Sequence, residues 1–351
     1  MKVFEKNNDL NISDVISLLR FPLAVFVVFI HVKSCYFHFE NLGTLTYLIT
    51  RFFTDIVCKV AVPTFYFISG FLFFYNIKSL NKIVYRNKLT SRVKSLLVPY
   101  LAWNTIAFLL FLFATSLGIG CFRTKFTISD NFINNAIQIY GYIYSWGWKN
   151  ALGWPVKQCG PIDGPLWFIR DLMIVVLATP IINKMIRKFD YFLILVLFLI
   201  LVLLQYPTLI AFFYFSLGSY FSIKQIDPLD FYCRNKWLLW IIMLILIIPS
   251  FRYGSVSIYK QVMLLPYVII TIGCARYIGR SFAIKLKTLS KYSFSIYCTH
   301  IIITMPITVY ALNNFSLPPV IYYFMCGIGS VCLSMILYHI LLPINKYFKM
   351  V

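Results

Sequence analysis

Acidic side chains are scarce in this chain: 11 aspartates and glutamates stand among 351 residues, and charged residues of both signs make up only 12%. An ordinary soluble domain carries about 25% charge, so the polar surface that would face water is missing. Histidine is rarer still, with four copies, which makes the position of each one informative. None of the nine cysteines forms a C-x-x-C pair or has histidines at metal-ligand spacing, so no zinc site, metal centre or dithiol redox motif is implied. The cysteines read as small apolar fillers, with Cys121 and Cys159 as candidates for one disulfide. No cleavable export signal is expected, because the first apolar stretch follows an acidic leader, carries Arg20 and lacks a small-residue cleavage site. No linker or low-complexity tract divides the chain, which is read as a single membrane-embedded domain over 1–351.

What the chain has in excess is apolar length. Hydrophobic residues reach 60% and the mean hydropathy is +0.80. About 20 apolar residues in a helix cross the hydrocarbon core, and only helices or closed barrels satisfy their own backbone there. Ten such stretches run over about 15–33, 57–77, 97–117, 165–182, 191–205, 207–222, 237–250, 261–279, 292–312 and 319–342. The expected fold is therefore all-α, a polytopic bundle of about ten transmembrane helices.

Lys and Arg near span ends collect on the cytoplasmic side. With the N-terminus inside, 21 of the 32 basic residues fall on the inner segments, nine on the outer ones, and Arg20 and Arg170 within spans. Both termini are thus expected in the cytoplasm. The net charge of +21 is a topology signal facing membrane lipids, and nucleic acid is not needed to explain it. The only long polar connection, 118–164, is expected outside. It carries Tyr140, Tyr142, Tyr144, Trp146, Trp148 and Trp154 and then the turn-prone run Cys159 to Pro165, a pattern that fits interfacial anchors or a sugar-stacking lid.

Ionisable residues inside spans cost about 2.5–3.5 kcal/mol on insertion scales and face the bundle interior, so they make a short list of candidates. Arg20 and His31 are 11 positions apart, three helical turns plus roughly 20°, which sets them on one face about 16 Å apart. Arg20 suits a phosphate or carboxylate, and His31 suits general-base work; the bland alternative is a snorkelling arginine and a histidine bonded to a neighbouring helix. Arg92 and Lys94 precede Pro99-Tyr100 in a basic stretch that serves either topology or the binding of donor phosphates. Trp167, Arg170 and Asp171 open the fourth span, and the two charges, adjacent in sequence and pointing about 100° apart, are expected to meet different neighbours rather than each other. His300 lies about 12 Å into the ninth span, as a helix-to-helix hydrogen bond or a participant in chemistry. His38 and His339 fall near span ends.

Taken in order, these residues resemble the acyltransferase 3 family of integral membrane acyltransferases, which includes bacterial polysaccharide O-acetyltransferases. The stretch from Arg20 to His31 resembles the family's arginine and histidine separated by ten residues in the first span. Phe67-Ile68-Ser69-Gly70-Phe71, Leu166-Trp167-Phe168-Ile169-Arg170-Asp171-Leu172 and Ser293-Phe294-Ser295-Ile296-Tyr297 through His300 resemble further signatures. One departure is Lys94, where relatives often have a second arginine, and lysine lacks bidentate geometry. The resemblance implies acyl transfer, most simply acetyl from acetyl-CoA or another acyl-CoA co-substrate, to a sugar hydroxyl of a cell-surface glycan or lipid-linked precursor, with no tightly bound cofactor. It implies His31 and Arg20 as catalytic, Arg92 and Lys94 as donor-binding, and Ser69, Trp167, Arg170, Asp171 and His300 as a supporting polar network. The competing reading is a multi-span transporter or flippase for a glycan or acyl-carrying substrate.

Overall fold

The structure is a computed structural model and describes residues 10–36, 44–77, 79–116, 132–141, 144–150, 152–253, 258–314 and 318–348. Helix α1 (Ile12–Tyr36) begins where the Asn11 side chain accepts the Asp14 N–H at 2.9 Å, a cap with an acidic residue in the first turn. After α2 (Thr44–Phe52) the chain winds through a π-helical turn (Phe53–Val57) and a 3₁₀ turn (Cys58–Val60) into α3 (Ala61–Phe74). A second cap, Asn81 accepting Val84 N–H at 2.8 Å, starts the amphipathic α4 (Lys82–Arg92), and another π-helical turn (Val93–Leu97) leads into α5 (Val98–Ser116). Then come α6 (Phe132–Tyr140), the antiparallel strands β1 (Tyr144–Lys149) and β2 (Pro155–Gly160), α7 (Trp167–Leu177) and α8 (Thr179–Phe189). The remaining helices are α9 (Tyr191–Leu204), α10 (Pro207–Ile223), α11 (Pro228–Tyr253), α12 (Ile258–Cys274), α13 (Arg280–Leu289), α14 (Ser293–Asn314) and α15 (Pro319–Phe348). Proline opens α10, α11 and α15, where its missing N–H costs no helical bond.

Each of the ten apolar stretches holds a helix, so the bundle is all-helical as expected. Among the described residues, six helical segments are long and apolar enough to cross a membrane by themselves, or seven if the bent pair α7–α8 counts as one span. That pair breaks by 61° at Ala178, with Pro180 in the first turn of α8; α9 and α10 are shorter apolar helices. Lipid offers little hydrophobic drive for helix association, so close approach of small residues matters. The pair α3 and α10 shows this: a methyl at Gly70 would lie 2.0 Å from the Phe215 carbonyl oxygen, and one at Gly218 would lie 2.0 Å from that of Phe67.

Polar ties mark the two ends of the bundle. At one end Lys287 pairs with Asp14 at 2.8 Å, Lys88 donates to the Phe73 carbonyl at 2.6 Å, and Tyr85 donates to that of Leu177 at 3.1 Å. At the other, Asp55 lies 3.9 Å from Arg51 and 3.8 Å from the fully buried Lys260, and Arg51 also donates to the Phe251 carbonyl at 2.5 Å.

The connection between α5 and α7 is more than a loop. It holds one helix and a hairpin, and the segment after the hairpin is inserted in the bundle: Gly160, Pro161, Asp163, Gly164, Pro165 and Leu166 are all buried. The Asp163 N–H donates to Asn104 Oδ1 of α5 at 3.1 Å, Tyr297 of α14 donates to the Pro165 carbonyl, and Tyr100 of α5 donates to that of Tyr140. Irregular backbone at that depth is tolerated because protein surrounds it. In consequence α7 has only 11 residues, well short of the span expected over 165–182. Cys121 and the Cys159 side chain lie outside the described residues, as do His38, Tyr142 and the side chains of Tyr144, Trp146 and Trp148; Trp154 is 58% exposed.

Candidate active site

The histidines of α1 and α14, 269 positions apart in sequence, are neighbours. The His31 ring of α1 and the His300 ring of α14 have centroids 5.1 Å apart, tilted by 49°. His31 is half-buried and His300 has no exposure at all. His300 Nδ1 lies 2.7 Å from the Tyr297 carbonyl and 3.0 Å from that of Ile296. A carbonyl only accepts, so Nδ1 carries the proton and Nε2 of the neutral ring is a bare lone pair. That Nε2 is buried without a hydrogen-bond partner among the described residues. A contact of this kind between α1 and α14 invites chemistry, since a buried lone pair left unused costs free energy.

A continuous file of rings leads away from the pair. Tyr297 stands 6.1 Å from His300, Phe168 5.5 Å from Tyr297, and Tyr66 4.5 Å from Phe168. Tyr66 is fully buried and donates to the Phe168 carbonyl at 3.2 Å. Next to this file is the opening of α7, and here the reading of Arg170 and Asp171 is corrected. Arg170 Nε and Nη2 each lie 3.0 Å from Asp171 Oδ1. The two Cα–Cβ bonds diverge as expected, but the long arginine stem folds back over one residue and closes the pair. Asp171 is fully buried, Trp167 is half-buried at the first position of α7, and Ser69 is half-buried beside Gly70 on α3. No hydrogen bond links Trp167 or Ser69 to the histidines among the described residues.

About 16 Å down α1 from His31, Arg20 comes within electrostatic reach of Arg92, the last residue of α4. Neither guanidinium forms an ion pair with a carboxylate among the described residues. Two like charges near each other, with no acid paired to either among the described residues, suit an anion with several oxygens. The π-helical turn directly after Arg92 is an irregularity common at functional sites. Lys94 lies in that turn and is exposed, as Arg20 is, and among the described residues no contact joins it to the arginine pair.

Two features escaped the sequence reading. Asp163 is 1% exposed and both of its carboxylate oxygens are buried without a partner; between two Gly-Pro turns it had only the signature of a surface turn. Tyr297, quoted as part of a motif, turns out to hold the inserted segment. The sole available signal was an unusual concentration of Gly, Pro and Asp just ahead of an apolar run.

Residues 14–339 match the model of a family described as an acyltransferase domain. Over 187 residues the chain is 25% identical to the succinoglycan biosynthesis protein ExoH of Rhizobium meliloti (strain 1021), a stretch covering 52% of this chain and 45% of that one. The chain thus spans less than half the length of the curated relative it matches. No solved structure matches it.

Proposed function

Since the chain belongs to the acyltransferase domain family, over residues 14–339, we propose that it is a membrane-embedded enzyme moving an acyl group from cytoplasmic acyl-CoA to a glycan hydroxyl. The observation that carries this is the His31–His300 pair at 5.1 Å, with His31 on the same helix as Arg20, which together with Arg92 has no carboxylate partner among the described residues. Arg20 and Arg92 hold the donor's phosphates, and the thioester lies at the histidines. His31 takes the proton of the attacking hydroxyl as its oxygen bonds to the thioester carbonyl carbon; the C–S bond then breaks, and the imidazolium returns the proton to the departing thiolate. Free CoA and an ester result, with the histidine restored. His300 is a positioning residue in this scheme. Its bare Nε2, unpartnered in the structure, is the acceptor toward which the His31 ring turns an N–H when substrate binds, which leaves the opposite nitrogen of His31 unprotonated for the acceptor hydroxyl. Acetyl is the simplest donor group. A relative whose name places it in succinoglycan biosynthesis supports a glycan, finished or lipid-linked, as acceptor. The protein works as a multi-pass protein of the bacterial inner membrane.

The test is label transfer. Membranes bearing the protein, incubated with acetyl-CoA labelled in the acetyl group and host glycans, are expected to pass label to the glycan. His31→Ala should lower the rate by roughly 10²–10⁴, the usual contribution of a general base, with insertion unchanged. Undiminished transfer in that variant removes His31 from the mechanism. The 61° break between α7 and α8 also favours a second reading, because broken helices line substrate routes in transporters. Release of free CoA separates the two, as a transporter consumes no thioester.

A further inference from the structure

Asp163 has the polar environment of a residue waiting for a ligand. It is 1% exposed, and neither carboxylate oxygen has a hydrogen-bond partner among the described residues. Native proteins leave very few buried polar atoms in that condition. The two phenols near it are already committed. Tyr297 and Tyr100 are within electrostatic reach of Asp163, but a phenol has one O–H; Tyr297 donates its own to the Pro165 carbonyl and Tyr100 to that of Tyr140. Arg170 is turned onto Asp171. The backbone N–H of Asp163 is pinned to Asn104, so the carboxylate cannot swing away to find water while the segment stays seated.

It is tied to the histidines through one side chain. Tyr297 connects the two sites, since it holds Pro165 by its hydroxyl and stacks toward His300 with its ring. A carboxyl group with several acceptor positions near Tyr297, from which the file of rings runs on to Phe168 and Tyr66, has the chemistry of a subsite for a polyhydroxylated ring.

We infer that Asp163 binds the acceptor, taking hydrogen bonds from sugar hydroxyls adjacent to the one that is acylated, and that the inserted segment Gly160–Leu166 is the acceptor subsite. This rests on the acyl-transfer reading above. In membranes bearing the full chain, Asp163→Leu should raise the acceptor KM by about threefold to tenfold, the cost of one hydrogen bond, with the acetyl-CoA KM unchanged. Asp163→Asn, which keeps one acceptor oxygen at the same volume, should fall between. An unchanged acceptor KM in the inserted leucine variant overturns the proposal. The unmodified protein gives a second measurement that needs no variant: a hydrophobic carbodiimide should label Asp163, read by mass spectrometry of its peptide. Saturating glycan should block the labelling and acetyl-CoA alone should not; equal labelling with and without glycan also overturns the proposal. Running the protection with lipid-linked precursor and with finished polymer tells which form binds. If no acyl-CoA supports transfer in wild-type membranes, the acyltransferase reading fails while protection by glycan still reports on Asp163.

Discussion

A proton on His300 Nδ1 is dictated by backbone, because two helical carbonyls lie at 2.7 and 3.0 Å and neither can donate. What His300 offers His31 is therefore an acceptor, and this can be separated from its bulk. His300→Phe keeps the ring volume but removes the lone pair, and kcat is expected to fall by about a hundredfold with both KM values nearly constant. His300→Gln retains an acceptor oxygen and should recover part of the loss; equal rates for wild type and the phenylalanine variant would assign His300 to packing alone. The arginines make the opposite kind of contribution. Arg92→Ala should remove about 1.5–3 kcal/mol of charge-assisted binding, raising the acyl-CoA KM roughly tenfold to a hundredfold while kcat holds. Lys94→Ala, at an exposed position outside the pair, should change it little. Both are read from initial rates against donor concentration.

Among the elements, α3 and α10 touch backbone to backbone at Gly70 and Gly218, where an added methyl would meet a carbonyl oxygen at 2.0 Å. Gly70→Ala or Gly218→Ala forces the helices apart, with an expected cost of about 1–3 kcal/mol, visible as a lower melting temperature in detergent. Little lost activity should remain after correction for folded protein, which distinguishes these glycines from the site. The signature stretch Phe67 to Phe71 is accordingly structural at Gly70. Elements of this kind were legible before any coordinates: apolar runs of bilayer length read directly as helices, and the Arg20–His31 track follows from helical period alone. The pairing of His31 with His300 was not, because nothing local in α1 records which helix lies against it. The inserted segment was missed for a related reason. Gly, Pro and Asp mark turns by backbone geometry, and that geometry is the same whether the turn faces water or the inside of a bundle. Arg170 and Asp171 failed on a third ground, side-chain reach, which Cβ direction does not describe.

For the whole molecule, charge distribution predicts orientation: a reporter fused after Phe348 and one placed before Ile12 should both report the cytoplasm, and a reporter within 118–131 the opposite side. Cytoplasmic signal from that last fusion would invert the bundle and put the arginine pair out of contact with cytosolic donors. Given the expected orientation, the interval of about 16 Å between Arg20 and His31 becomes a ruler. The phosphates of coenzyme A are joined to its sulfur by an extended pantetheine arm, so a donor anchored at the arginines presents its thioester wherever that arm ends. Selection then falls on arm length first and on the acyl group only afterwards, in whatever room the histidines leave. A thioester of truncated coenzyme, reactive in itself but too short to touch both pairs, is measured and found wanting before its chemistry is ever tried.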